Sequence, residues 1–272
     1  MLKSKIGLSM LYCLREPFSK MVQRLSSTRT QYVEVVDEGL HELTKKRVLT
    51  LKEVAKSRKM KFTVHAPFAD MNIASPSKLI LATTFKRLRQ SMEYASSLDA
   101  YLWVLHPGAK TGISMFYPGE DWKQNNKSLV ELHKTAEDYG LNIAIENLPE
   151  KYGFLMRRPE DFEKFYKETG LVDVGIALDV GHANLEGQID RFLRRLPDKI
   201  THIHVSDNTG TDDQHLGIGS GKIDWQQFAM TLREIDFDKT IMIESTEHAK
   251  DSLQKLKKIL GSSHLKGEFS TP

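Results

Sequence analysis

Short apolar runs of period two alternate with longer stretches of helical period along the whole chain, and this rhythm restricts the fold more than any other feature. The runs are Lys5–Met10 (Ile6, Leu8 and Met10 alternating), 32–36 (YVEVV), 61–66 (KFTVHA), 101–106 (YLWVLH), 142–147 (NIAIEN), 174–179 (VGIALD), 199–205 and 240–245 (TIMIES). Between them lie helical stretches. The first covers Phe18–Ser26, and the second covers Leu43–Lys59, with Leu49, Leu51, Val54 and Ala55 at helical spacing. A third opens at Ser75–Pro76, with proline at its first position, and runs to Ser97. Trp122–Tyr139 follows, ended by Gly140, and Pro159 opens the next. The last three are Ile189–Leu196, a helix capped by Asp224 and running to Glu234, and Asp251–Leu260.

Strands that each feed a helix must pair in parallel, because only a crossover returns the chain to the same sheet edge. Eight such units at a spacing of about 30–40 residues predict a closed (β/α)8 barrel of the TIM type. The competing arrangement is an open doubly wound sheet. No glycine-rich dinucleotide loop follows the first strand, which argues against it. No linker or break in composition divides the 272 residues, so residues 1–260 read as one domain and 261–272 as a polar tail.

The net charge of +3 is too small to argue for nucleic acid, although a pI near 8.7 allows an anionic substrate such as a phosphate. Cys13 stands alone, which excludes an internal disulfide and makes a reducing cytoplasm the default. The first residues, MLKSKIGLSMLYCLREPF, lack the apolar core and cleavage site of a signal peptide, and no run reaches membrane-spanning length. A soluble cytoplasmic protein is expected.

Barrel enzymes place their chemistry at the carboxyl ends of the strands. His65, His106, Glu146, Asp179 and Glu244 fall at such ends, His204 closes the seventh strand, and His182 follows Asp179 by three residues. The stretch HIHVSDNTGTDDQHLGIGSGKIDW (202–225) adds Asp213 and His215 from the loop beyond that strand. One polar residue at a strand end is usually a cap or a solvated turn. Five strands ending in imidazole or carboxylate instead imply a divalent metal centre, with zinc or manganese the first candidates.

HAPF (65–68), HPG (106–108), EN (146–147), DVGH (179–182), HVSDN (204–208), DQH (213–215) and ES (244–245) resemble, as an ordered set, the xylose isomerase-like barrels. That superfamily holds sugar and sugar-phosphate isomerases and epimerases and also the endonuclease IV branch. In the first branch the resemblance implies one divalent ion (zinc, manganese, magnesium or cobalt) held by Glu146, Asp179, His204 and Glu244. Glu146 and Glu244 would move protons on opposite sides of a small sugar, and His182 would contact it.

In the endonuclease branch the resemblance implies up to three zincs. His65, His106 and a bridging Glu146 would hold one; Glu146, Asp179, His204 and Glu244 a second; His182, Asp213 and His215 a third. Such a centre would cleave DNA at abasic sites. This chain departs from both branches. Phe68 and Ala69 stand where the nucleases carry a tyrosine and a bulky apolar wedge, and DVGH replaces their D-T-C-H. Tyr152 and Gly210 stand where known ketose 3-epimerases carry a glutamate and an arginine.

The preferred expectation is therefore a metal-dependent isomerase or epimerase of a small sugar or sugar phosphate, possible as a homo-oligomer. A zinc phosphodiester hydrolase acting on abasic DNA is the alternative, and a non-catalytic metal- or ligand-binding barrel the third. Glu34 and Glu38 read as solvated or supporting carboxylates, His202 as a packed or supporting histidine, and Trp103 and Trp225 as packing residues. The basic residues at 86–89, 157–158 and 191–195 read as solvated faces, with a phosphate grip at Arg157 and Arg158 a weaker option.

Overall fold

The computed structural model describes residues 4–28 and 30–261. Eight parallel strands pair in chain order: β1 (Lys5–Ser9), β2 (Tyr32–Val36), β3 (Lys61–His65), β4 (Leu102–Leu105), β5 (Ile143–Glu146), β6 (Gly175–Asp179), β7 (Ile200–Val205) and β8 (Thr240–Ile243). β8 pairs back onto β1, Ile6 opposite Ile241, and the sheet closes into a barrel. The expected fold class is the observed one.

Side chains alternate across the strands, so each strand feeds two cores. Val33, Val35, Phe62, Val64, Trp103, Leu105, Ile143 and Ile145 belong to the large core that also takes in the helices. Their neighbours Leu102, Val104, Ala144 and Ala177 form a separate small cluster. The latter are the inward-facing positions, because Glu34 of β2 reaches His202 of β7 at 3.1 Å although the two strands are not adjacent in the sheet. Inward positions near the carboxyl ends are polar, and there the lumen becomes a site.

The helices are α1 (Phe18–Ser27), α2 (Lys45–Arg58), α3 (Lys78–Ser97), α4 (Glu120–Asp138), α5 (Pro159–Thr169), α6 (Val180–Leu185), α7 (Ile189–Arg195), α8 (Trp225–Glu234) and α9 (Ala249–Gly261). Pro159 opens α5 and Asp224 caps α8 as expected, its carboxylate accepting from the Gln226 and Gln227 amides. Three local expectations need correction. Met10 leaves β1 for a 3-10 turn, Met10–Cys13. Pro76 lies outside α3, whose cap is Ser77, the hydroxyl accepting from the Ile80 amide. Leu49 is 64% exposed, and Val48 with Leu51 turns α2 toward the core instead. The short helix α6 was not foreseen; it begins on Asp179 and carries His182. Gly261 ends α9, and the remaining tail lies outside the described residues.

Candidate metal centre

Parallel strands present all their carboxyl ends on one rim, and that common direction gathers the candidate residues. Glu146 stands at the centre. Its Oε2 lies 3.1 Å from His65 Nε2 and 3.3 Å from His106 Nε2, and its Oε1 lies 3.4 Å from His182 Nδ1 and 3.5 Å from His204 Nδ1. His204 Nδ1 is also 3.6 Å from Glu244. The nine residues singled out above fall into three sets whose ligand-capable atoms all lie within 4.8 Å of one another: His65, His106 and Glu146; Glu146, Asp179, His204 and Glu244; His182, Asp213 and His215.

For three of the histidines a backbone carbonyl fixes which ring nitrogen is offered. Nδ1 of His65 is 2.8 Å from the Ala66 carbonyl, that of His182 is 2.9 Å from Asn147 O, and that of His215 is 3.1 Å from Glu244 O. With Nδ1–H donating to these carbonyls, Nε2 is the nitrogen that each of these three rings turns toward the site. His215 is held at φ 47°, a rare conformation for a residue with a Cβ. Pairing of its carbonyl with the Thr246 amide (2.9 Å) keeps it there, and its Nε2 stands 3.2 Å from Asp213. Strain of this kind persists where the surrounding structure dictates it.

Asp179 divides its carboxylate. Oδ1 caps α6 by accepting from the His182 amide (2.6 Å), while Oδ2 is buried without a hydrogen-bond partner. Asn147 fastens the ends of β5 and β6 together: its Oδ1 accepts from the Asp179 amide at 2.7 Å and its Nδ2 donates to the Asp179 carbonyl at 3.1 Å. Gly181 permits the turn, since a Cβ there would come within 2.8 Å of Ser206 Oγ and 3.2 Å of Asp179 Oδ1.

Beneath this layer lies a set that the sequence under-read. Glu34 is fully buried, accepts from Thr63 Oγ1 at 3.0 Å, and stands 3.1 Å from His202 Nε2 and 3.0 Å from His204 Nε2. Supporting roles for Glu34 and His202 agree with this placement; a solvated Glu34 does not. Glu38, by contrast, is half-buried and accepts from the Phe68 and Ala69 amides. Asp207, the acid of HVSDN, has a role of its own that residue type and spacing do not reveal. This buried carboxylate accepts from the amides of Asn208, Gly219 and Ile223 and from Trp225 Nε1, and so ties down the loop after β7. The only sequence signal was the DN before the glycine-rich exit, which reads equally well as a turn.

Burial and charge pull the titrating groups apart. Burial alone would raise Glu146, but His204 and His106 outweigh it and hold the carboxyl well below its usual range. Glu34 behaves alike, burial being overcome by His204 and His202. Burial dominates at Asp179, which is raised, and at Glu244, pushed up to about 7. His65, His182 and His215 resist burial through their carboxylate partners and rise to about 9, 10 and 9 respectively. Protons thus stand where a cation is wanted. The unpartnered Asp179 Oδ2 and His204 Nδ1, buried among oxygen and nitrogen donors, fit a divalent ion.

The clusters form the floor of a cavity of about 720 Å³, lined higher up by Leu11, Leu14, Phe68, Leu148, Tyr152 and Phe154. Phe68, at the position of the nuclease wedge, stacks on His106 (centroids 5.3 Å) and so does not project outward. Arg157 and Arg158 are engaged by Glu150, and Arg158 also by Glu186, which agrees with their reading as a solvated face more than with the weaker option of a phosphate grip. Arg87, Arg89, Arg191, Arg194 and Arg195 likewise pair with carboxylates. Among the described residues no helix is long and apolar enough to cross a membrane.

Residues 23–260 match the family model of the xylose isomerase-like TIM barrel. An uncharacterised protein of Methanocaldococcus jannaschii is 34% identical over 262 residues, 95% of this chain and 89% of that protein. The D-psicose 3-epimerase of Enterocloster bolteae is 24% identical, across 88% of this chain and 81% of its own. The crystal structure of a D-tagatose 3-epimerase-like protein superposes with a TM-score of 0.88 at 33% identity, covering 94% of this chain and 97% of that one. The chain belongs to the xylose isomerase-like TIM barrel family.

Proposed function

We propose that this protein is a divalent-metal-dependent isomerase or epimerase of a small sugar or sugar phosphate. The observation that carries the reading is the pair Glu146 and Glu244. These are two buried carboxylates that share His204 Nδ1 as a neighbour, at 3.5 and 3.6 Å, and both line the cavity at the barrel mouth. The similarity to D-psicose and L-ribulose 3-epimerases supports it.

Glu146, Asp179, His204 and Glu244 would hold the ion, which when bound polarises the adjacent carbonyl and hydroxyl oxygens of a sugar. Glu146 is ionised at neutral pH and is the group suited to remove a proton from the carbon beside the carbonyl. Glu244, with its carboxyl near 7, is suited to return one from the other side. Transfer between opposite faces inverts that carbon. His182 Nε2, 3.2 Å from Asp213 and facing the cavity, is placed to donate to a sugar oxygen.

The test is exchange of the carbon-bound proton for deuterium, followed by NMR, on D-psicose, D-tagatose, D-fructose and L-ribulose with manganese, cobalt, magnesium or zinc. Exchange and epimer formation are expected, abolished by chelation and reduced at least about a hundredfold in Glu146→Gln. Metal bound but no exchange on any of these sugars refutes the proposal.

The three donor sets favour one further reading, a zinc phosphodiester hydrolase acting on abasic DNA. The inward-stacked Phe68 and the ion-paired surface arginines weigh against it. Cleavage of an abasic duplex, lost in Glu146→Gln, would establish it.

A further inference from the structure

The donor clusters account for only the floor of the cavity. At ~30 Å³ per water, its volume of about 720 Å³ has room for about two dozen waters, whereas a free hexulose displaces roughly six. Most of the space above the reacting carbons is therefore left over.

Two walls bound that space. Leu11 and Leu14 come from the loop after β1, and Leu148, Tyr152 and Phe154 come from the loop after β5. In a closed barrel of eight strands in chain order, β1 and β5 are diametrically opposed. The walls face each other across the mouth. Tyr12 also lines the cavity next to Leu11, but its hydroxyl is buried without a hydrogen-bond partner, so the ring is what it presents. The polar lining of the outer cavity, Arg15, Thr246 and Glu247, gathers on the adjacent β8 and β1 side. Between the two walls the polar groups are few, chiefly Arg15 and the Tyr152 hydroxyl, so a substituent with apolar faces matches that space better than a bare sugar tail.

We infer that this slot takes a second ring: the substrate is a keto-sugar whose far end carries an aryl or glycosyl substituent with apolar ring faces, seated between the β1 and β5 loops. This rests on the isomerase reading for the reacting end. Burial of one more apolar ring face corresponds to a preference of about tenfold or more.

The full chain loaded with manganese should exchange the proton beside the carbonyl of 6-O-phenyl-D-fructose, or of isomaltulose (fructose glycosylated on O6), with kcat/KM at least about tenfold above that for D-fructose. Whichever of the two leads identifies the substituent as aryl or glycosyl. Tyr152→Ser and Leu14→Ser should each bring the ratio toward one; Tyr152 is 51% exposed, so its loss leaves the core intact. Equal or lower kcat/KM for both extended sugars, or a ratio unmoved in both variants, overturns the slot while leaving the isomerase standing. A binding comparison separates the opposite failure. Phenyl β-D-glucopyranoside should bind the chelator-treated chain at least about fivefold more tightly than methyl β-D-glucopyranoside, by calorimetry. If no sugar exchanges, the isomerase reading falls and the glucoside pair alone decides the slot, for it if the preference appears and is lost in Tyr152→Ser, against it otherwise.

Discussion

Metal uptake at this centre should be steeply pH-dependent, because in the metal-free chain protons occupy the places of the ion. The set of Glu146, Asp179, His204 and Glu244 illustrates the size of the effect. Despite burial, the carboxylates of Glu244, Glu34 and Glu146 raise His204 well above its ordinary 6.5, so it is protonated at pH 7. Glu244, raised by burial to about 7, is half protonated there. An ion binding to all four must displace protons from His204 and Glu244, and each displaced proton makes affinity rise tenfold per pH unit. Between pH 6.5 and 7.5 the affinity for manganese should therefore increase by about tenfold or more. Chelator competition across that range measures the slope, and calorimetry in two buffers of different ionisation enthalpy counts the protons. The stability of the stripped chain follows the same linkage. His65, His182 and His215 have folded values of about 9 to 10, above the unfolded 6.5. Their contribution is complete below pH 6.5 and is lost as pH rises through 9 to 10, so the melting temperature of the stripped chain should fall over that window. A flat affinity profile, or binding that takes up protons, would mean that the ion does not compete with protons on these side chains.

Other perturbations isolate single supports. Glu34→Gln keeps the shape beneath His204 but removes the charge 3.0 Å from its Nε2; manganese affinity should drop about tenfold with the melting curve in chelator changed far less. Gly181→Ala forces a Cβ to 2.8 Å from Ser206 Oγ and should cost about 1–3 kcal/mol in urea unfolding, with weaker metal binding because the same turn aims Asp179 and His182. Asp207→Asn replaces a carboxylate that accepts four hydrogen bonds with a group that also donates; a loss of about 3 kcal/mol is expected, and proteolysis should find the loop between β7 and α8 first.

The barrel was legible in the sequence because two periodicities carry it. Period two marks a strand whose sides enter different cores, and the regular return of helical segments requires parallel pairing. Boundaries were less legible where competing chemistry decides them. Ser77 caps α3 better than the expected start at Pro76, since its hydroxyl reaches the Ile80 amide. At Leu49 the pattern misled, because a leucine of good helix propensity can face solvent without disturbing α2.

The gathering of the candidate residues was legible for a topological reason: a closed parallel sheet sends every strand end to one rim, so residue type and strand-end position suffice. What could not be read is depth. Glu34 lies mid-strand in β2 and His202 two residues before His204 in β7, and alternation assigns both inward without saying that they meet across the lumen. The loop supports are hidden for another reason. Asn147 and Asp207 act on backbone amides contributed by other segments, and a backbone donor leaves no mark in the sequence. Asp179 and His182 stand beside Glu146 because such silent bonds fix the ends of β5 and β6. The first layer of a metal centre can therefore be read residue by residue, whereas the layer that aims it emerges only when the chain has closed.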